Sequence, residues 1–478
     1  MTQQAPPRIG VDSWVAEADE RREGGRIRQM FERVPPSARF GAFLFAAALV
    51  PLLSSNEYVI RVGVDTLIFS LLALGLNVVV GFSGLLDLGY IAFYGFGAYM
   101  YALIASDKFG IHWPAEAALP VILLAAAVVG LLLGLPSRRL LGDYLAIVTL
   151  FFGLAFVTFV TNGNRLTLLG HSRAVDLTSG PNGISDLDPL DFFGQKVVSI
   201  QAYFYVSLVT LAIVVIGLHF TVESRTGRAW KALREDPLAA ETMSIPVNRL
   251  KLLAFAFGAS IAGVTGAITA AVDGAVFPDS YDTPLLITVY AMEILGGAGS
   301  LSGVILGALT INISLEVLRD ANQARWLFYS VILISLIAKV RPWKKLAVIL
   351  GGLVVFGFAF HALIAAVWPA GTRGQAAGGD VIGRSVQDWV IRPEHNATLI
   401  GNYAFVALIA CVLVLTLLHG WWRALFLIPT LYLAAFVWEN RLDFEPSTTR
   451  LIILGALLIV LMNARPQGLL GTSRVEIG

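Results

Sequence analysis

Phe40–Ser55, Leu119–Leu135 and Phe204–Leu218 each run without a charged side chain. Runs of this kind recur along the chain and restrict its fold more than any other feature. A helix needs about 20 mostly apolar residues to cross the hydrocarbon core of a bilayer. Only structures that satisfy every backbone group internally are viable there. Composition agrees: of 478 residues, 56% are hydrophobic and only 14% charged, with a mean hydropathy of +0.74. A soluble domain carries about 25% charged residues. A membrane β-barrel would need alternating segments of about 10 residues, and the sequence has none. The expected fold is an all-α polytopic membrane protein.

Several functions are excluded early. A net charge of +1 gives no case for nucleic acid. The lone Cys411 cannot form an intrachain disulfide, and the six histidines are scattered without metal-ligand spacing. No P-loop, no G-x-S-x-G elbow and no kinase motif set is present. Nothing points to an enzyme, a resident cofactor or a metal. The one stretch in which to seek a catalytic constellation is 369–397, with Asp380, Asp388 and His395. The first 39 residues hold seven arginines and six acids without an apolar core. They read as a cytosolic tail, not a cleavable signal peptide.

Spans are expected near 40–55, 60–80, 88–106, 115–135, 143–161, 202–222 and 251–272. A Gly-interrupted or re-entrant pair follows at 284–298 and 303–318. Further spans are expected at 326–340, 346–368, 398–418, 423–438 and 450–463, about 12 crossings in all besides the pair. The positive-inside rule fits one orientation. Arg138, Arg139, the 224–251 loop, Lys339, Arg341, Lys344, Lys345, Arg465 and Arg474 fall in the cytosol, with both termini. The 162–200 loop, with three basic residues against four aspartates, and the 369–397 loop fall outside. A weak repeat joins 326–342 to 451–466, each an apolar helix ending in Arg-Pro.

Four features carry the functional reading. The stretch "GFSGLLDLGYIAFYGFGAY" (81–99) places Gly81, Gly84, Gly89 and Gly95 in an apolar setting. Small residues let helices approach closely in lipid, and broken backbone is tolerated at membrane depth where protein surrounds it. Ordinary packing and a broken helix along a substrate path both fit. "LGGAGSLSGVILGAL" (295–309) is the second: Gly299, Gly303 and Gly307 share a helix face, and Gly296-Gly297 suggests a break. Paired interruptions of this kind can mark a transporter's central site. Third, Asp65, Asp87, Glu293 and Glu316 lie in or near apolar runs, where acids are costly and usually face a protein interior. Fourth, the loop 223–250 holds an Asp236-Pro237 cap and a short helix with Leu238, Ala239, Ala240 and Met243. Such a helix has little to bury against unless a cytosolic partner supplies a groove.

"LALGLNVVVGFSGLLDLGYIAFYGFGAY", "GDYLAIVTLFFG", "SGPNGI", "SRTGRAWKALREDPLAAETMSI", "LGGAGSLSG" and "RPQGLLG" occur in this order. Together they resemble the permease family of high-affinity branched-chain amino-acid ABC importers, of the LivH/LivM type and closer to LivM, with urea-transport permeases as cousins. The likeness covers roughly 58–340 and the last twenty residues. It implies a permease core (40–341) that pairs with a second permease, ABC ATPase subunits binding the ATP, and an external solute-binding protein, in the bacterial inner membrane. It implies that Arg228, Arg234, Glu235, Asp236, Ala239 and Ala240 form the coupling loop to the ATPase. It also implies that Gly81–Tyr99 and Gly296–Gly307 line the translocation path. The sequence departs from the pattern at Asp87, where the family usually has Ser, at Tyr90, where it has His or Gln, and at Ser244, where it has Gly. Residues 342–449 have no counterpart and read as an extra transmembrane insertion, followed by a last helix and tail (450–478). A urea or short-amide permease, or a carrier coupled to ions through Asp87 or Glu293, is the alternative.

Overall fold

The computed structural model describes residues 36–137, 143–165, 176–339, 343–374, 386, 388–418, 420–442, 455 and 468–469. Residues 1–35 of the expected tail, all of the span 450–463 except Gly455, and Asp380 lie outside the described residues, and 36–39 belong to the first helix. The helices are α1 (Pro36–Leu53), α2 (Glu57–Asn77), α3 (Tyr90–Ala105), α4 (Ala115–Ser137), α5 (Asp143–Asn162), α6 (Ile200–Glu223), α7 (Arg225–Glu235), α8 (Pro237–Thr242), α9 (Val247–Asp273), α10 (Thr283–Gly296), α11 (Leu301–Val317), α12 (Ala321–Lys339), α13 (Trp343–Val367), α14 (Ala397–Leu417) and α15 (Gly420–Leu442). Among the described residues, eight helices are long and apolar enough to cross a membrane, and four shorter apolar ones accompany them. The molecule is therefore an all-α polytopic membrane protein.

The shorter helices have a physical cause. At 1.5 Å per residue, the 16 residues of α3 reach about 24 Å and the 14 of α10 about 21 Å, short of a ~30 Å hydrocarbon core. Each is cut short where the chain leaves helix. Expected boundaries otherwise fall close to those observed.

α9 is the spine of the core. Its buried face is made of Gly258, Ala259, Ala262, Gly263, Gly266 and Ala267. This face lets α3 and α4 come close enough that a side chain at Gly97 would collide with the Gly263 backbone. One at Gly130 would lie 2.6 Å from the Phe255 carbonyl. In lipid such close packing replaces the hydrophobic drive that water provides elsewhere. α2 crosses the same core and is held to α11 by Asn312, whose amide donates to the Thr66 hydroxyl at 2.8 Å.

At one end of the bundle the 176–199 segment folds over the helix ends. Strand β1 (Ile184–Ser185) pairs antiparallel with β4 (Ala275–Val276), just after α9; β2 (Asp191–Phe192) pairs with β3 (Gln195–Lys196). The Asp188 amide donates to the Ala105 carbonyl at 2.8 Å, and the Tyr101 hydroxyl to the Asp188 carbonyl at 2.8 Å. The "SGPNGIS" cluster forms the tight turn Gly180–Asn182. The Lys108 ammonium donates to Asp176 at 2.8 Å and holds that carboxyl below its ordinary range.

A second apolar cluster lies in the segment after α12. Val390, Ile391, Tyr432, Phe436 and their neighbours pack with Phe356 of α13 and with Tyr329 of α12. A buried charge cluster joins the two parts. Arg325 of α12 donates to both oxygens of Glu439 at 3.0–3.2 Å, Arg392 donates to the same carboxylate, and the Tyr329 hydroxyl adds a bond at 3.2 Å. Truncating one partner of a buried ion pair costs about 3–5 kcal/mol. Glu439→Ala is therefore expected to lower the melting temperature of the detergent-purified protein while membrane insertion stays normal. An unchanged melting temperature would refute the anchor.

Candidate functional site at two helix breaks

The first break follows α2. The helix loosens into a π-helical turn at Val78–Phe82, leaves helix at Ser83 and resumes at Tyr90. Gly84 takes φ +70°, a left-handed value that favours glycine. Protein groups satisfy the freed backbone. The Tyr290 hydroxyl donates to the Asp87 carbonyl at 2.7 Å and accepts from the Asp87 amide at 3.2 Å. The Leu88 amide donates to the Thr149 hydroxyl at 2.9 Å. One Asp87 carboxylate oxygen accepts from the Gly89 amide at 3.0 Å, at the start of α3.

The second break separates α10 from α11. The two helices form an antiparallel hairpin seamed by glycine: a side chain at Gly303 would collide with the Gly296 carbonyl, and one at Gly307 with the Met292 carbonyl. Ser300 caps α11 by accepting from the Gly303 amide at 3.1 Å. Gly468 and Leu469, within "RPQGLLG", also reach this break. The Leu469 amide donates to the Leu295 carbonyl at 2.8 Å, and a Cβ at Gly468 would lie 2.6 Å from Gly297.

The two breaks meet. Asn77, at the end of α2, accepts from the Gly299 amide at 2.7 Å. Arg234, from α7, runs past Gly84 and donates to the Gly81 carbonyl in the first break and, at 3.4 Å, to the Ala298 carbonyl in the second. The glycines make room for it. A Cβ at Gly84 would lie 3.0–3.3 Å from the Arg234 stem, and one at Gly299 (φ +88°) would lie 2.5 Å from its guanidinium. Glu293, in the last turns of α10, is fully buried and feels the Arg234 charge.

α7 and α8 form the loop that carries Arg234. Ser224 caps α7, and Trp230 and Leu233 are buried beneath it; the Trp230 indole donates to the Leu250 carbonyl at 3.0 Å. Asp236 caps α8 as expected, accepting from the Leu238 and Ala239 amides at 2.8 and 3.1 Å. Arg228, Glu235, Asp236 and Ala239 are exposed. Ala240 is buried against its own chain, whereas Leu238 and Met243 are 67% and 77% exposed. The apolar surface offered outward is thus Leu238 and Met243. Ser244 sits at φ +62°, a left-handed value that glycine adopts without strain.

The junction gathers Gly81, Gly84, Asp87, Glu293, Gly297, Gly299 and Arg234 from the residues singled out in sequence. Gly89, Gly95, Gly296, Gly303 and Gly307 serve helix packing instead; Gly95 lies against Phe156 and Tyr281. Asn77 and Tyr290 are not among the residues singled out in sequence; no local pattern sets them apart from the other polar residues of α2 and α10.

Apolar helices, two interruptions that meet inside them and a charged hairpin tied to both define a membrane permease component. A family model described as "Branched-chain amino acid transport system / permease component" matches residues 58–340, and the chain belongs to this family. It is 37% identical over 340 residues to the high-affinity branched-chain amino acid transport system permease protein LivM of Escherichia coli K12, covering 63% of this chain and 76% of that protein. It is 36% identical over 337 residues to LivM of Salmonella typhimurium, covering 64% and 76%. The LivH permease of Salmonella typhimurium is 27% identical over 259 residues, covering 53% and 82%. No solved structure matches the chain.

Gly299→Ala combines a positive φ with the Arg234 side chain and is expected to lower the melting temperature of the purified protein by several degrees. Gly217→Ala, in α6 with nothing within 4 Å, is expected to leave it unchanged or raise it, since alanine favours helix by about 1 kcal/mol over glycine. Equal effects of the two substitutions would refute the close-approach account.

Proposed function

We propose that the chain is the transmembrane permease subunit of an ATP-driven importer that moves branched-chain amino acids across the bacterial inner membrane by alternating access. Its family and the names of its LivM and LivH relatives support the substrate class. The observation that carries the mechanism is Arg234, which hydrogen-bonds to carbonyls of both helix breaks from the hairpin that presents Leu238 and Met243. In this reading α7–α8 docks on an ABC ATPase, which binds the ATP. Closure of the ATPases displaces the hairpin. Arg234 passes the displacement to the α2–α3 and α10–α11 breaks, and these line the path.

The rest of the assembly follows the same reading. A second related permease completes the path, and an external solute-binding protein delivers the substrate to the end covered by residues 176–199. Both termini lie in the cytosol, and about 12 helices cross the bilayer besides the α10–α11 pair. The core is 40–341, with its coupling loop at 223–250. The insertion is 342–449, with its external loop at 369–397, and 450–478 returns the tail.

Purification of the tagged chain in mild detergent is expected to recover a P-loop ATPase. Leu238→Asp with Met243→Asp is expected to abolish that recovery, while Arg234→Ala is expected to keep it and reduce ATP-coupled uptake at least tenfold. Uptake that survives ATP depletion but stops with an uncoupler would overturn the importer reading in favour of an ion-coupled carrier. Uptake of urea but not leucine would replace the substrate.

A further inference from the structure

Three carboxylate oxygens at the junction are fully buried and have no hydrogen-bond partner: the second oxygen of Asp87 and both oxygens of Glu293. They come from different elements. Asp87 lies in the first break, and its backbone is held by the Tyr290 hydroxyl. Glu293 lies one helical turn beyond Tyr290 on α10. The Tyr290 side chain, which reaches the Asp87 backbone, leaves α10 one turn before Glu293 and so brings the two acids to the same side of the junction. The Asn77 amide nitrogen, also fully buried and without a hydrogen-bond partner, lies on the adjoining side of the junction, where its oxygen binds Gly299.

Buried acids inside a membrane bundle are costly and are found where they face a partner or a solute path. Arg234 acts on Glu293 by its charge and donates to the Gly81 and Ala298 carbonyls, while both Glu293 oxygens have no hydrogen-bond partner. A primary ammonium carries three N–H donors and no acceptor, which matches three acceptor oxygens without partners. A charged donor also makes hydrogen bonds about twice as strong as a neutral one. The unpartnered Asn77 amide is a donor and suits the other, acceptor end of a zwitterion.

We propose that Asp87 and Glu293 together bind the primary ammonium group of the transported solute. This rests on the importer reading and deepens it. The two acids then select solutes that keep their amine. Arg234 and the solute ammonium then share Glu293 as counter-charge. When the coupling hairpin moves Arg234, the carboxylate's hold on the solute changes with it.

The test uses the assembled importer in lipid nanodiscs, with thermal unfolding read by tryptophan fluorescence and ATP-driven [3H]leucine uptake measured in proteoliposomes. L-Leucine and 3-methylbutylamine, which has the amine and no carboxylate, are expected to raise the unfolding midpoint. 4-Methylpentanoate, the deaminated acid, is expected not to. Glu293→Gln and Asp87→Asn are expected to weaken the apparent affinity for the amine at least tenfold, while both variants still co-purify with the ATPase. Asp87→Ser supplies a further variant if Asp87→Asn fails to assemble. The proposal is overturned if 4-methylpentanoate stabilises as well as the amine, or if the amine effect survives in the variants that assemble. It is also overturned if sodium chloride, compared with choline chloride, reproduces the shift, which would make the acids an ion site. Amine binding without ATP-driven leucine uptake would sink the importer reading and leave the site standing. Robust leucine uptake with unaffected variants would do the reverse.

Discussion

Every interruption of a helix inside a bilayer frees amide and carbonyl groups that lipid cannot satisfy, and the junction of this permease is organised around that constraint. Two interruptions are placed side by side, so that each helps to satisfy the other. Asn77 takes the Gly299 amide, Arg234 donates to the Gly81 and Ala298 carbonyls, and the Tyr290 hydroxyl serves both backbone groups of Asp87. The tail adds one more donor at Leu295. Separated, neither break would have these partners.

The same constraint explains where the glycines fall. At Gly81, Gly84 and Gly299 they clear space for the Arg234 side chain and for the approach of one break to the other; at Gly296, Gly303 and Gly307 they seam the α10–α11 hairpin. Along α9 they let α3 and α4 pack backbone to backbone. Glycine's low helix propensity is therefore tolerated for two different reasons within one stretch: Gly81 and Gly84 serve the break, while Gly95 serves contact with Phe156 and Tyr281.

Much of this was legible in the sequence because it rests on local signals. Apolar runs marked the long helices, Asp236-Pro237 marked α8, and Gly296-Gly297 and Gly81–Gly84 marked the breaks. Helix α7 was less legible: its charges obey the positive-inside pattern and hide the apolar side that Trp230 and Leu233 bury. The inward direction of Arg234 and Ala240 was not legible at all. It depends on contacts more than sixty residues apart in the chain, between α7 and both breaks. The Arg325–Glu439 anchor escaped for the same reason, since its partners are separated by 114 positions. Ser244 shows the converse case: the departure from glycine was visible, and only the positive φ gave it meaning.

Arg234 also sets how far a displacement of the α7–α8 hairpin can be felt. A packed interior moves between discrete arrangements and does not deform continuously, so displacement of α7 either carries the two carbonyls along or breaks their bonds to the guanidinium. In both cases Gly81 and Ala298 respond together. Both bonds leave the same terminal nitrogen, Nη1, so one end of the guanidinium holds two separate backbone carbonyls. The glycines opposite it are what allow that side chain to fit. Charge and absent side chains thus act as one unit at the junction, and the two helix breaks respond to a single lever.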